Sequence, residues 1–215
     1  MAVKTWIATT ASIWSTPASW SGGTTPVSGD SIVFNAAGPG NCTVSGVPGI
    51  LLISLTSTGY TGQLIFQQVL NITGNVTLSN THTISSSPGG VLAINGNSTL
   101  TTNGCVLDLT LRLDSNPSLS ITVLLADNCV VNKGFQGYGT PLGSIIFQSS
   151  VPGTQRIFTV SNLVGTTQDI EYLNATDLDS DAGISLWTYS GTISNCRNWA
   201  VMTPQPPPVS SISCT

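Results

Sequence analysis

The densest run of metal-ligating side chains is Asp177-x-Asp179-x-Asp181-x-Gly183. Alternate carboxylates on a turning loop can converge on a hard cation such as Ca2+, which makes Ca2+ the one cofactor this chain suggests. The run departs from an EF-hand loop, because Ala182 stands where the loop glycine belongs and Thr188 where a bidentate Glu is needed. A solvated turn is therefore the stronger reading. Paired carboxylates for glycoside chemistry exist as residue types in Asp108 with Asp114, or Asp127 with a neighbour, but no cluster of basic and aromatic residues accompanies them. The one histidine, His82, sits in Asn80-Thr81-His82-Thr83 with no Ser or Cys partner implied. These observations predict a protein that is not an enzyme.

Aromatic residues offer a different chemistry. Trp6, Trp14 and Trp20 lie near the start of the chain, and Trp187 and Trp199 near its end. An exposed indole stacks on a sugar ring, so these five are candidate glycan or partner contacts. Tyr138 joins them from the Gly-rich stretch Lys133 to Gly143, which lacks the strand-to-helix context and Lys-Ser/Thr ending of a phosphate loop. The competing role for the tryptophans is to cover the ends of an apolar core. Five cysteines, at 42, 105, 129, 196 and 214, form no CxxC pair. Buried thiols account for most of them. Cys214 is the candidate for an intermolecular disulfide.

The elements that must carry these residues are short strands. Leu70-Asn71-Ile72-Thr73-Gly74-Asn75-Val76-Thr77-Leu78-Ser79-Asn80 aligns with Leu92-Ala93-Ile94-Asn95-Gly96-Asn97-Ser98-Thr99-Leu100-Thr101-Thr102, an offset of 22 residues. Such a period marks stacked rungs, and alternating apolar and small polar residues place one face of each rung inward. A single rung cannot bury that face, so neighbours must share a core. Val106 to Leu113 alternates strictly, which predicts Asp108, Thr110 and Arg112 on one face. Ser31-Ile32-Val33-Phe34-Asn35, Gln63-Leu64-Ile65-Phe66-Gln67 and Ser144-Ile145-Ile146-Phe147-Gln148 read as equivalent rung strands, with a phenylalanine ladder and a second ladder of amides.

Only 7% of residues are charged and the net charge is −4, against about 25% charged in an average globular protein. Lys4, Arg112, Lys133, Arg156 and Arg197 are scattered, which argues against a nucleic-acid partner. The apolar run Ile50 to Ile53 is far too short to span a bilayer, so no membrane partner is expected. Met1 to Trp6 leads into Thr/Ser/Trp-rich sequence with no apolar leader core. Sequons at Asn41, Asn71, Asn75, Asn97 and Asn174 are read as accidental in a chain this rich in Asn, Ser and Thr.

Two stretches resemble known proteins. Trp14-x5-Trp20-Ser21-Gly22-Gly23-x2-Pro26-x2-Gly29-Asp30-x-Ile32-Val33-Phe34 resembles the opening segment of repetitive β-solenoid surface proteins, found in phage and other viral structural proteins and in bacterial autotransporter-like passengers. Thr176 to Gly183, followed by Trp187-Thr188-Tyr189-Ser190-Gly191-Thr192 and ending Asn198-Trp199, is similar to their closing rungs. The resemblance implies capping roles for these segments and a surface setting.

The resulting expectation is an all-β fold, a parallel β-solenoid of the right-handed β-helix type with Trp-containing caps at both ends. Residues 1–30 would form an N-terminal cap or arm, 31–199 the solenoid, and 200–215 a Pro-rich tail. The function expected is a non-enzymatic virion structural protein, a capsid decoration (cement) or small fibre or spike subunit. It would be made in the host cytoplasm, sit on the virion surface, and bind copies of itself, as a trimer, and other capsid proteins. The alternative is a carbohydrate-binding adhesin module recognising host-surface glycans.

Overall fold

The chain is a parallel β-solenoid. The computed structural model describes residues 1–46, 49–78, 84–86, 89–163 and 165–203. Among these the strands form three parallel sheets of nine, eight and eight strands. The first sheet holds β1 (Val3–Thr5), β3 (Ser31–Phe34), β6 (Ser54–Ser57), β9 (Val76–Thr77), β12 (Ser98–Thr101), β15 (Ile121–Leu125), β18 (Ile145–Ser149), β21 (Leu173–Thr176) and β24 (Ile193–Ser194). The second holds β2 (Ser12–Ile13), β4 (Cys42–Val44), β7 (Leu64–Phe66), β10 (Ile84–Ser86), β13 (Val106–Asp108), β16 (Cys129–Val131), β19 (Arg156–Val160) and β22 (Leu178–Asp179). The third holds β5 (Leu51–Leu52), β8 (Val69–Ile72), β11 (Val91–Ile94), β14 (Thr110–Asp114), β17 (Gly134–Tyr138), β20 (Thr167–Glu171), β23 (Leu186–Tyr189) and β25 (Trp199–Met202). The chain visits the sheets in that order, so each circuit adds one strand to every face it crosses.

Alternation decides which way each side chain points. In β3, β6 and β8 every second residue is buried, and in β14, β15 and β18 the same rhythm runs over five residues. The inward residues, mostly Leu, Ile, Val and Phe, form one continuous core. Phe34, Trp6, Trp14, Trp20 and Tyr60 fill its N-terminal end, with Trp6 5.1 Å and Trp14 4.7 Å from Trp20, both edge-on. Phe135, Phe147, Phe158 and Trp199 form a second aromatic group towards the other end.

Corners are closed by side-chain amides as well as by backbone. Asn41 Oδ1 accepts from Gln63 N at 2.9 Å, Asn75 from Thr99 N at 2.9 Å, and Asn97 from Thr122 N at 2.8 Å. Asn128 accepts from Ile157 N at 3.0 Å and Asn174 from Thr192 N at 2.9 Å. Each amide extends the rung-to-rung ladder where the backbone turns. Four of the five predicted sequons thus have a structural reason for their asparagine.

Several expectations are corrected. The 22-residue offset holds in the third sheet, where Leu70 pairs with Leu92 and Ile72 with Ile94. In the first sheet Val76 pairs with Leu100 rather than Ser98, two residues on. A two-residue insertion preserves parity, so every side chain keeps its face and the alignment survives by eye. The three Phe-containing motifs are not one ladder. β3 and β18 lie in the first sheet and β7 in the second, Phe34 pairs with Ser57, and Phe147 with Val123. The Asn35, Gln67 and Gln148 amides therefore do not align, and Asn35 Oδ1 accepts from Ala37 N within its own turn.

The expected boundaries also move. Val3–Thr5 pairs with Ser31–Val33 and Ser12–Ile13 with Cys42–Thr43, so the first 30 residues build the first rung and are no free arm. At the other end Trp199–Met202 pairs along Leu186–Tyr189, carrying the third sheet past residue 199. Most of the Pro-rich tail, with Cys214, and also His82, lies outside the described residues.

Candidate functional site

Charge is distributed unequally among the three faces. The first-sheet strands β3, β6, β9, β12, β15, β18, β21 and β24 contain no Asp, Glu, Lys or Arg. Their outward residues include Thr56, Thr77, Thr99, Thr122, Gln148, Asn174 and Thr176. The third sheet carries Arg112 and Asp114 on β14 and Asp169 and Glu171 on β20, with Gln136 and Tyr138 on β17 between them.

Register brings these into two outward columns. Arg112 pairs with Gln136 and Gln136 with Asp169, while Asp114 pairs with Tyr138, Tyr138 with Glu171, and Glu171 with Tyr189. Adjacent strands are about 4.8 Å apart, so Tyr138 and Tyr189, two strands apart, are separated by roughly 10 Å along the axis. Trp187 lies on the same face as Tyr189, their ring centroids 4.9 Å apart and nearly edge-on. Tyr138 is 37% exposed, and Trp187 and Tyr189 are half-buried. All three present aromatic surface outward.

The acidic column ends in a groove. Thr73 and Asn95, the residues following β8 and β11, continue the Asp114 column, and with Leu51, Ser115 and Asn116 they line a groove of about 230 Å³. Arg112 Nε donates to Asp114 Oδ2 at 2.8 Å, and Asn95 Nδ2 donates to the same oxygen at 3.2 Å. Asp114 Oδ1 and Asn95 Oδ1 are buried and accept no hydrogen bond. Burial holds the Asp114 carboxyl above its usual range despite Arg112 and Asn95. Burial also raises the Tyr138 hydroxyl, and the charge and hydrogen bond of Asp169 add to it.

The other predicted site residues are placed differently. Trp6, Trp14 and Trp20 are at most 1% exposed, so they offer no ring to a glycan. Trp6 Nε1 donates to Gly40 O at 2.9 Å and Trp20 Nε1 to Trp14 O at 2.7 Å. Trp199 is half-buried against Phe135 and Phe158. Of the six aromatic candidates, Tyr138 and Trp187 share an outward face.

The three aspartates of the expected Ca2+ run do not converge. Asp177 is buried and accepts from Gly153 N at 2.7 Å and Asn195 Nδ2 at 2.6 Å. Asp179 and Asp181 both pair with Arg197, Asp179 at 3.3 Å. A guanidinium thus occupies the position a cation would take, and among the described residues no group of three His, Cys, Asp or Glu is arranged to hold a metal. Asp108 and Arg112 do not share a face either. The chain turns a corner at Leu109, which puts Asp108 on the second sheet, 3.4 Å from Lys133. That corner also separates Asp108 from Asp114, while Asp127 accepts from Thr102 N at 2.8 Å and serves the turn.

Asn95, Arg112, Gln136, Asp169, Glu171 and Tyr189 were not among the sequence candidates for binding. The one signal they offer is in Thr167-Gln168-Asp169-Ile170-Glu171, a strand whose outward positions Asp169 and Glu171 are both acidic. Their assembly depends on rung register. No helix among the described residues is long and apolar enough to cross a membrane. Comparison with protein-family models, with curated proteins and with solved structures finds no match.

Proposed function

We propose that this chain is a non-enzymatic structural protein of a particle surface, a virion decoration, fibre or spike subunit that packs against copies of itself through its first sheet. The observation that carries the reading is the absence of charged side chains from eight successive strands of that sheet, β3 to β24. Removing a charge from water is costly unless it is paired, whereas Thr, Ser and Asn side chains can trade water for partners at small cost. A flat, uncharged face on a stiff rod packs repeatedly without register-specific ion pairs. Three such rods around an axis would make the trimer expected of a fibre or spike. Lys4 on β1 is the one charged residue on a strand of this sheet; the other charged residues of the described chain lie on the other faces and at corners.

Light scattering on the purified full chain tests this. A homo-oligomer, with a trimer as the expected state, supports the reading. A monomer at every concentration contradicts packing through the first sheet.

A further inference from the structure

We propose that the outward face of the third sheet, from the groove beside Asp114 to the Trp187–Tyr189 pair, is a binding site for a neutral polysaccharide. Aromatic rings and hydrogen-bonding side chains alternate along it. Tyr138, Trp187 and Tyr189 present aromatic surface to solvent. Asp114, Asp169 and Glu171 supply carboxylate acceptors, on or beside the same columns. A pyranose presents an apolar face of C–H groups and a rim of hydroxyls, so it needs a ring to lie on and acceptors at the edge. The roughly 10 Å between the Tyr138 and Tyr189 strands suits successive sugar rings of an extended chain.

The groove strengthens the argument. Asp114 Oδ1 and Asn95 Oδ1 are acceptors without donors in a groove that they line. Buried acceptors are nearly always satisfied, so an orphaned pair beside open space marks a place for a ligand's donors. Sugar hydroxyls are donors of that kind. Arg112 and Asn95 hold the carboxylate in place by donating to its other oxygen, so Oδ1 keeps its accepting capacity and a small turn of the side chain towards the groove would bring it to a ligand hydroxyl.

Charge narrows the ligand class. Three carboxylates face one guanidinium on these strands, and Arg112 is already paired with Asp114. Uronates, sialic acids and sulfated sugars would meet repulsion. Neutral hexose polymers meet none. The sheet is a rigid platform of hydrogen-bonded strands, so little ordering is needed when a chain binds.

Affinity electrophoresis of the full chain in native gels containing hydroxyethyl cellulose, galactomannan, dextran or xylan, with polygalacturonate as the anionic probe, tests the proposal. Retardation by at least one neutral polymer is expected, lost in Tyr138→Ala and in Trp187→Ala. Asp114→Asn should weaken the retardation about tenfold, the effect of one charge-assisted hydrogen bond. Tyr138 is exposed enough for its alanine variant to fold, which keeps the test decisive should Trp187→Ala fail to. Absence of retardation in all four neutral polymers, retardation by polygalacturonate alone, or retardation unchanged by Tyr138→Ala would overturn it. Conversion of the oligomer to a monomer by Tyr138→Ala would also overturn it, by showing that this face contacts another copy. First-sheet packing is read by light scattering on the wild type and stands or falls separately.

Discussion

Arg112 Nε donates to Asp114 Oδ2 at 2.8 Å from two residues away on β14, yet the second oxygen of that carboxylate is buried with nothing to accept from. The ion pair orients Asp114 without fully compensating its burial, and the carboxyl is held above its ordinary value of 3.8. A folded-state value raised above the unfolded one means that the ionised carboxylate opposes folding. The penalty is full above the folded-state value and disappears below about pH 3.8. Asp114→Asn should therefore raise Tm at pH 7, with the gain fading as the pH falls through the acidic range. Calorimetry across that range checks it, and a lower Tm at pH 7 would contradict the assignment. A substitution that stabilises while weakening polysaccharide binding is the signature of a binding residue.

The amide at Asn97 predicts a measurable loss. Its Oδ1 accepts from Thr122 N at 2.8 Å. Asn97→Ala removes that acceptor and should cost about 1 kcal/mol in urea unfolding, within the usual range for one hydrogen bond. An unchanged midpoint would show that water replaces the amide fully.

Gly40 predicts a larger one. A Cβ there would lie 2.1 Å from Thr10 O and 2.5 Å from Thr10 C, both backbone atoms of the first rung. Gly40 O also accepts from Trp6 Nε1 and from the Tyr60 hydroxyl. Gly40→Ala should cost about 3 kcal/mol by forcing the rungs apart. The near-UV circular dichroism of the Trp6–Trp14–Trp20 group should change with it. Retained signal and stability would place the first rung elsewhere.

Calcium should have no effect on stability. Arg197 already pairs with both Asp179 and Asp181, and Asp177 is engaged by Gly153 and Asn195. Millimolar Ca2+ or EDTA is expected to leave Tm unchanged, whereas a rise with Ca2+ would require these side chains to rearrange around the ion.

The solenoid was legible in the sequence because its two signals are local. Alternation marks the strands, and the Gly-Asn pairs at 74–75 and 96–97 mark equivalent corners one rung apart. Corners inside an unbroken alternation gave no such sign. Val106 to Leu113 reads as one strand, and the turn at Leu109, which separates Asp108 from Arg112, costs the pattern nothing because Leu109 is itself buried. Left-handed backbone at Tyr172 and Ser190, with φ of 49° and 55°, falls at corners where glycine would have been the visible marker.

The candidate site was less legible, since its residues come from different rungs. Asp114, Tyr138, Glu171 and Tyr189 are neighbours only through strand pairing. Their spacings of 24, 33 and 18 residues follow from unequal corner lengths that no short repeat reveals. Burial separated the tryptophans that composition could not. Trp6, Trp14 and Trp20 lie within the first rung's core, while Trp187 occupies an outward position of an alternating strand.

Charge placed on the first sheet tests the central claim most directly. Thr99 and Gln148 each pair with Leu124, on opposite sides of it, and all three point outward. Light scattering should show the proposed oligomer for the wild type and a folded monomer for Thr99→Lys combined with Gln148→Lys, since each buried lysine would lose its water without a partner. Gln136→Lys, on the third sheet, should leave the oligomer intact. An oligomer that survives the double substitution, or one broken by Gln136→Lys instead, would contradict the assignment of the first sheet as the packing face.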